Sequence, residues 1–176
     1  MDQNIPSGII VVFGLPGSGK SYFATKLAGK LNAEYISSDI TRKQIATQPD
    51  YSDQERLNVY DIMMEEAVKA LANTNIVVLD ATFFLRSARD KLVELVAQHH
   101  IDIRFIEIIA DENIIKERVA KKRQHSDADF SVYLKVTAQF EPMDKQHLVL
   151  ESKRDNIDEM LRSAIHYLEQ NKSGDG

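Results

Sequence analysis

The chain has 176 residues, with 22 lysines and arginines against 27 aspartates and glutamates, a net charge of −5 and no cysteine. This excludes a disulfide scaffold, a thiolate metal site and a thiol nucleophile, and it counts against a protein that coats nucleic acid through bulk positive charge. The apolar share of 43% excludes general disorder, and the length suits one domain, 1–176, with little left for a second.

The longest apolar run, residues 9–13, falls far short of the roughly 18 residues of a membrane span. The first residues lack the basic-then-hydrophobic pattern of a signal peptide, so the expected compartment is the cytoplasm. Residues 9–13 (IIVVF) read instead as a central parallel strand covered on both faces, because nothing polar alternates within them. A helix follows over 19–31, with Phe23, Leu27 and Leu31 stacked at four-residue spacing. Residues 35–37 form a short second strand, and a brief helix runs from about 39 to 46. Ser52 and Glu55 have the spacing of a capping box. They open a helix whose stripe of Leu57, Tyr60, Met64, Ala67 and Leu71, together with Met63, is core.

Residues 76–79 form a third buried strand ending at Asp80. A helix over 88–98 leads to a fourth strand at 103–109, and another over 112–122 gives way to a polar stretch at 123–127. A helix over 130–140 is stopped by Pro142, and 147–150 is a fifth, shorter strand. The last helix starts near Asp155 with Ile157, Leu161, Ile165 and Leu168 as its stripe, and 171–176 is a frayed tail. The five histidines show no metal-ligand spacing. Strands separated by helices imply an α/β domain with a mostly parallel five-stranded sheet and helices on both faces.

Gly14, Leu15, Pro16, Gly17, Ser18, Gly19, Lys20 and Ser21 fit the pattern G-x-x-x-x-G-K-[ST] in full, between a buried strand and a helix. Glycines let such a loop curl its backbone N–H groups toward phosphate oxygens, and the helix N-terminus adds its dipole. Lys20 then reaches the β and γ phosphates, and the Ser21 hydroxyl is placed to ligate Mg²⁺. The expected ligand is a nucleoside triphosphate, ATP, with Mg²⁺. Asp80, at the end of a buried strand where ligands gather in open α/β sheets, would organise the metal or touch the second substrate; a strand-end turn is its ordinary alternative.

With Ile36, Ser37, Ser38, Asp39 and Arg42 added, the loop resembles those of small P-loop kinases. The likeness is to the polynucleotide-kinase-like and zeta-toxin-like ATP-binding proteins, including the AAA-type domains fused to aminoglycoside-phosphotransferase-like domains. Asp80-Ala81-Thr82-Phe83, Arg118, Arg123, Ser126-Asp127-Ala128 and Glu141-Pro142 extend it over most of residues 8–144. The resemblance implies the P-loop NTPase fold with a small lid at about 116–128. It gives Asp39 the task of activating an acceptor hydroxyl and Arg42 that of binding the acceptor, and an acid–arginine pair suits an acceptor carrying its own phosphate or carboxylate. It also implies that Arg118 and Arg123 close on the triphosphate.

Each residue has a plainer role to set beside that one. Asp39 is also a natural helix N-cap. The run of Lys116, Arg118, Lys121, Lys122 and Arg123 is also an ordinary cationic helix end. Arg86 and Arg89 either line the acceptor pocket or are solvated helix residues, while Ser126 and Asp127 are natural caps. The implied reaction is transfer of the ATP γ-phosphoryl group to a hydroxyl of a small molecule or of a nucleic-acid 5′ end, and the acidic total favours the former. A nucleotide-dependent switch or an ATPase module without an acceptor is the alternative.

Overall fold

The computed structural model describes residues 5–45, 52–122 and 130–170. Its centre is β1 (Gly8–Phe13), buried along its whole length. Ile9, Val11 and Phe13 point into one core, Ile10 and Val12 into the other. A strand buried on both faces needs no polar alternation, which is why the sequence shows none.

After β1 the chain makes α1 (Lys20–Leu31), β2 (Glu34–Ser37), α2 (Ser38–Ile45), α3 (Asp53–Ala70), β3 (Ile76–Asp80) and α4 (Arg86–Gln98). It continues through β4 (Ile103–Ile109), α5 (Glu112–Lys122), α6 (Phe130–Gln139), β5 (His147–Glu151) and α7 (Ile157–Gln170). The strands lie in the order β2-β3-β1-β4-β5, and all four pairings are parallel. The chain leaves β1 toward β3 and β2, then returns across it to β4 and β5. The strand order therefore reverses at the carboxyl end of β1, the crevice where open parallel sheets hold ligands.

One face is covered by α3 and α4, whose Val59, Tyr60, Met63, Met64, Ala67, Ala88, Leu92 and Val96 pack on Val11, Phe13, Val77 and Leu79. The other is covered by α1 and α7 through Phe23, Leu27, Met160, Leu161, Ala164 and Leu168. The α7 stripe is turned slightly from the expected one: Met160 and Ala164 are buried, while Ile157 and Ile165 sit at its margins. α4 begins at Arg86, two residues earlier than expected, because the Glu141 carboxylate accepts the Arg86 N–H. No helix among the described residues is long and apolar enough to cross a membrane.

The Ser52 cap of α3 is present. Ser52 accepts the Glu55 N–H at 3.1 Å, and Glu55 Oε1 also receives Arg42 Nε at 2.7 Å from the neighbouring helix. A carboxylate that sequence spacing assigned to its own helix end thus ties α3 to α2.

Candidate active site

The loop between β1 and α1 opens at the reversal point. Ser18 N donates to Leu15 O at 3.1 Å, closing the turn, and Gly19 is the N-cap of α1 with φ of 93° and no side-chain cap. The first N–H groups of a helix have no partner within the helix, so here they face the loop's hollow. Gly17 also has a left-handed φ, 80°, and a Cβ there would lie 2.9 Å from Val119 Cγ2 and 3.1 Å from Ile115 Cγ2. Glycine is required on both counts. The contact shows what backs the loop: Ile115 and Val119 of α5 and Tyr133 of α6, with Leu15 and Ala110, form a small third core beneath it. Lys20 is the first residue of α1, and Ser21, beside it, is exposed. Gly14 and Ser18 are buried and Pro16 is half-buried.

Arg118 is engaged with the main chain on both sides of it. Its Nη1 donates to Ser18 O at 3.0 Å and Gly17 O at 3.3 Å, and its Nη2 to Ser152 Oγ at 3.1 Å and Lys153 O at 3.4 Å. The guanidinium straps the phosphate loop to the segment after β5, and burial holds its pKa below the usual arginine value. Beside the strap lies a groove of about 430 Å³ lined by Gly19, Tyr22, Arg118 and residues 152–157. Asn156 shapes that segment, accepting Lys153 N–H at 2.8 Å and donating to Glu151 O at 2.9 Å. Arg123, Ser126, Asp127 and Ala128, and with them most of the expected lid, lie outside the described residues. Lys116, at the lid's start, is ion-paired to Glu112 one turn back on α5.

Asp39 and Arg42 meet as their spacing requires, Arg42 Nη1 donating to Asp39 Oδ1 at 3.2 Å. The capping alternative for Asp39 is not what the structure adopts. Ser37 Oγ accepts the Ile40 N–H at 3.2 Å and so caps α2. Asp39 stays 71% exposed at the carboxyl edge of the sheet, while Arg42, buried, is anchored by Glu55 and aims at it.

Arg56, which the sequence reading did not single out, and Tyr60, which it placed in the core, converge beside this pair. Arg56 of α3 is buried, with its guanidinium over the Phe84 ring at 5.4 Å and Nη1 at 3.4 Å from Asp53 Oδ1. Tyr60 Oη accepts the Phe83 N–H at 3.2 Å, and its ring stacks on Phe83 with centroids 4.6 Å apart. Burial pushes the Tyr60 phenol up, opposed by that N–H, by Arg56 and Arg42, and by the Thr82 hydroxyl. Phe83 has φ of 42°, a left-handed conformation that is strained for an aromatic residue. The sequence reading gave Arg56 no role and placed Tyr60 in the core stripe of its helix.

Asp80 ends β3 and is 3% exposed. Tyr35 Oη donates to its Oδ2 at 2.7 Å, while Oδ1 has no hydrogen-bond partner among the described residues. Burial first, then the carboxylate, pushes the Tyr35 phenol up to about 12, so it remains a donor. A buried carboxylate oxygen without a donor suits a cation or its water, and Asp80 with the exposed Ser21 hydroxyl fits Mg²⁺.

Arg86 and Arg89 part company. Arg86, more than half exposed, pairs with Asp144 at 3.4 Å. Arg89 is neither solvated nor a pocket residue: it is fully buried, with Nη1 donating to Phe83 O at 2.7 Å and Nη2 to Glu141 O at 2.9 Å and Pro142 O at 3.1 Å. Glu141 N–H donates to Phe84 O at 2.9 Å. The Asp80–Phe83 and Glu141–Pro142 elements of the sequence resemblance are therefore two sides of one junction.

Among functionally curated proteins, no sequence matches the chain. Solved structures do match in fold. A gluconokinase from Sinorhizobium meliloti 1021 superposes with a TM-score of 0.71 at 23% identity, covering 93% of each chain. The APS kinase CysC of Mycobacterium tuberculosis, in complex with AMPPNP and APS, gives 0.72 at 22% identity over 93% of this chain and 99% of that one. Chaetomium thermophilum Kti12, in complex with ADP-AlF3, gives 0.71 at 18% identity over 94% of this chain and all of its own, 100%. These likenesses establish the P-loop NTPase fold. The family model described as AAA domain, AAA_33, matches residues 9–143, from β1 through the phosphate loop to the turn after α6, and the chain belongs to that family.

Proposed function

We propose that this protein is a P-loop kinase, akin to the polynucleotide-kinase-like and zeta-toxin-like group, that transfers the γ-phosphoryl group of ATP to a hydroxyl. The observation that carries the reading is the state of Asp39. Ser37 takes the capping task, and Arg42, locked by Glu55, orients an exposed carboxylate beside the nucleotide crevice. A switch or an ATPase without an acceptor has no hydroxyl for such a carboxylate to orient.

In the proposed reaction the phosphates lie on the 14–21 backbone and the α1 N-terminus, with Lys20 against the β and γ groups. The base lies in the groove between Tyr22 and residues 152–157. Ser21 and Asp80 would hold Mg²⁺, which when bound would supply charge neutralisation at the triphosphate. Asp39 orients the acceptor hydroxyl for in-line attack and accepts its proton. Arg123 would contribute cationic charge at the γ-phosphate, and Arg86 would contact the acceptor at the mouth of the cleft. Arg42 and Arg56, both near the Tyr60 phenol, favour an acceptor that carries an anionic group of its own, a phosphorylated or carboxylated alcohol or a nucleic-acid 5′ end. Kinase relatives in fold, a gluconokinase and an APS kinase, act on small acceptors, and the net charge of −5 agrees with one.

The test is a transfer screen with γ-labelled ATP against 5′-hydroxyl oligonucleotides, nucleosides, sugars and aminoglycosides, each with and without an anionic group. Asp39→Asn is expected to cut transfer by a hundredfold or more while ATP affinity stays within about twofold. Equal transfer by the variant, or no acceptor phosphorylated by the wild type, would refute the assignment.

A further inference from the structure

Asp80 is the register partner of Val12 on one side and of Ser37 on the other, at the carboxyl end of the two strands that flank it. Val12 belongs to the core beneath α1, so the Asp80 side chain is on the sheet face that α1 covers. α1 begins with Lys20 and Ser21. A carboxylate buried to 3% exposure is costly unless both oxygens are engaged. One is: Tyr35 Oη donates to Oδ2 at 2.7 Å. The other, Oδ1, has no partner among the described residues.

Register explains how Tyr35 reaches it. Tyr35 lies opposite Val78, two residues below Asp80 on the same face. Two residues of strand advance about 6.6 Å, a span that a tyrosine side chain laid along the strand covers and a serine or threonine does not. With Oδ2 held from the β2 side, the rotation of the carboxyl group is fixed. Oδ1 is the oxygen left for whatever occupies the space toward α1.

We propose that Tyr35 is a positioning residue for Mg²⁺ binding: its phenol locks Asp80 so that Oδ1 faces the Ser21 side of the nucleotide crevice. The inference rests on the proposed binding of ATP with Mg²⁺ and goes beyond it by naming the residue that sets the carboxylate's orientation. Partners that orient a metal-organising carboxylate typically govern affinity by 10- to 100-fold without touching the metal.

The experiment measures AMPPNP affinity by calorimetry, in MgCl₂ and in EDTA, for wild type, Tyr35→Phe, Asp80→Asn and the double variant. In the wild type Mg²⁺ is expected to tighten AMPPNP binding. Tyr35→Phe is expected to leave the EDTA affinity within about twofold and to cut the Mg²⁺-dependent gain roughly tenfold. In the Asp80→Asn background the same change is expected to cost nothing further. A full or enlarged Mg²⁺ gain in Tyr35→Phe overturns the proposal. So does an equal loss with and without Mg²⁺, which marks a packing role, and so does an undiminished effect in the Asp80→Asn background. Should the phenylalanine variant fail to fold, Tyr35→Leu, which removes the hydroxyl and supplies no other donor, is read by the same criteria. Wild type that binds AMPPNP without any Mg²⁺ gain refutes this inference alone, whereas wild type that binds no AMPPNP refutes the nucleotide reading with it.

Discussion

Arg42, Arg56, Arg89 and Arg104 are buried among the described residues, and each is held differently. Burying a guanidinium is tolerable only where its donors meet acceptors. Arg89 meets three carbonyl oxygens through its Nη atoms, its Nε alone having no partner among the described residues, and Arg104 pairs with Asp102 at 3.4 Å. Arg56 makes a long contact to Asp53 and lies on the Phe84 ring, an arrangement that suits a cation awaiting an anionic partner. Arg56→Ala is therefore expected to raise the KM of an anionic acceptor about tenfold or more, with the KM of ATP unchanged, as steady-state kinetics with each substrate varied would show. An equal rise for a neutral acceptor would mean that Arg56 only packs. The contact of Asp39 with Arg42 was legible in the sequence through its three-residue spacing. The placement of Arg56 and Tyr60 beside it was not, because nothing local distinguishes a buried arginine from a solvated one.

At the scale of elements, the phosphate loop is held from two sides. α5 and α6 support it through Ile115, Val119 and Tyr133, and Arg118 straps it to the segment after β5. The motif itself announces the loop, but not this support. Gly17→Ala meets both a left-handed φ and Val119 Cγ2 at 2.9 Å. We expect nucleotide affinity to fall more than tenfold, with a stability loss of only about 1–2 kcal/mol from the left-handed strain. Calorimetry and thermal denaturation separate the two effects. Adding Val119→Ala is expected to relieve the clash and recover part of the affinity, leaving the backbone strain. Arg118 shows why a basic helix end is ambiguous in sequence: a cation at that position can face solvent, a ligand or main-chain carbonyls, and only packing chooses.

For the whole molecule, the parallel sheet places the phosphate loop after β1, Asp39 and Arg42 after β2 and Asp80 at the end of β3, all at the carboxyl edge of the strands. That edge is held together partly by Arg89, which joins the segment after β3 to the turn before β5. Arg89→Met keeps much of the side chain's volume but leaves three carbonyl oxygens without their donor. The expected cost is about 3 kcal/mol, or a fall in Tm on the order of 10 °C, with any loss of activity tracking the loss of folded protein. A variant of wild-type Tm would show that the junction is held by other contacts.

The sequence by itself determined the alternation of strands and helices, the parallel sheet and the phosphate loop. Each of these is written in local periodicity or in a contiguous motif whose chemistry is set by backbone and spacing. It also excluded thiol chemistry, since no cysteine is present. Only the tertiary structure decided that Glu55 holds Arg42, that Arg89 staples the segment after β3 to the turn before β5, and that Tyr35 holds Asp80. Those are pairings between residues distant in sequence, 45 positions apart for Tyr35 and Asp80. Their partners are chosen by strand order and burial, which no local pattern encodes.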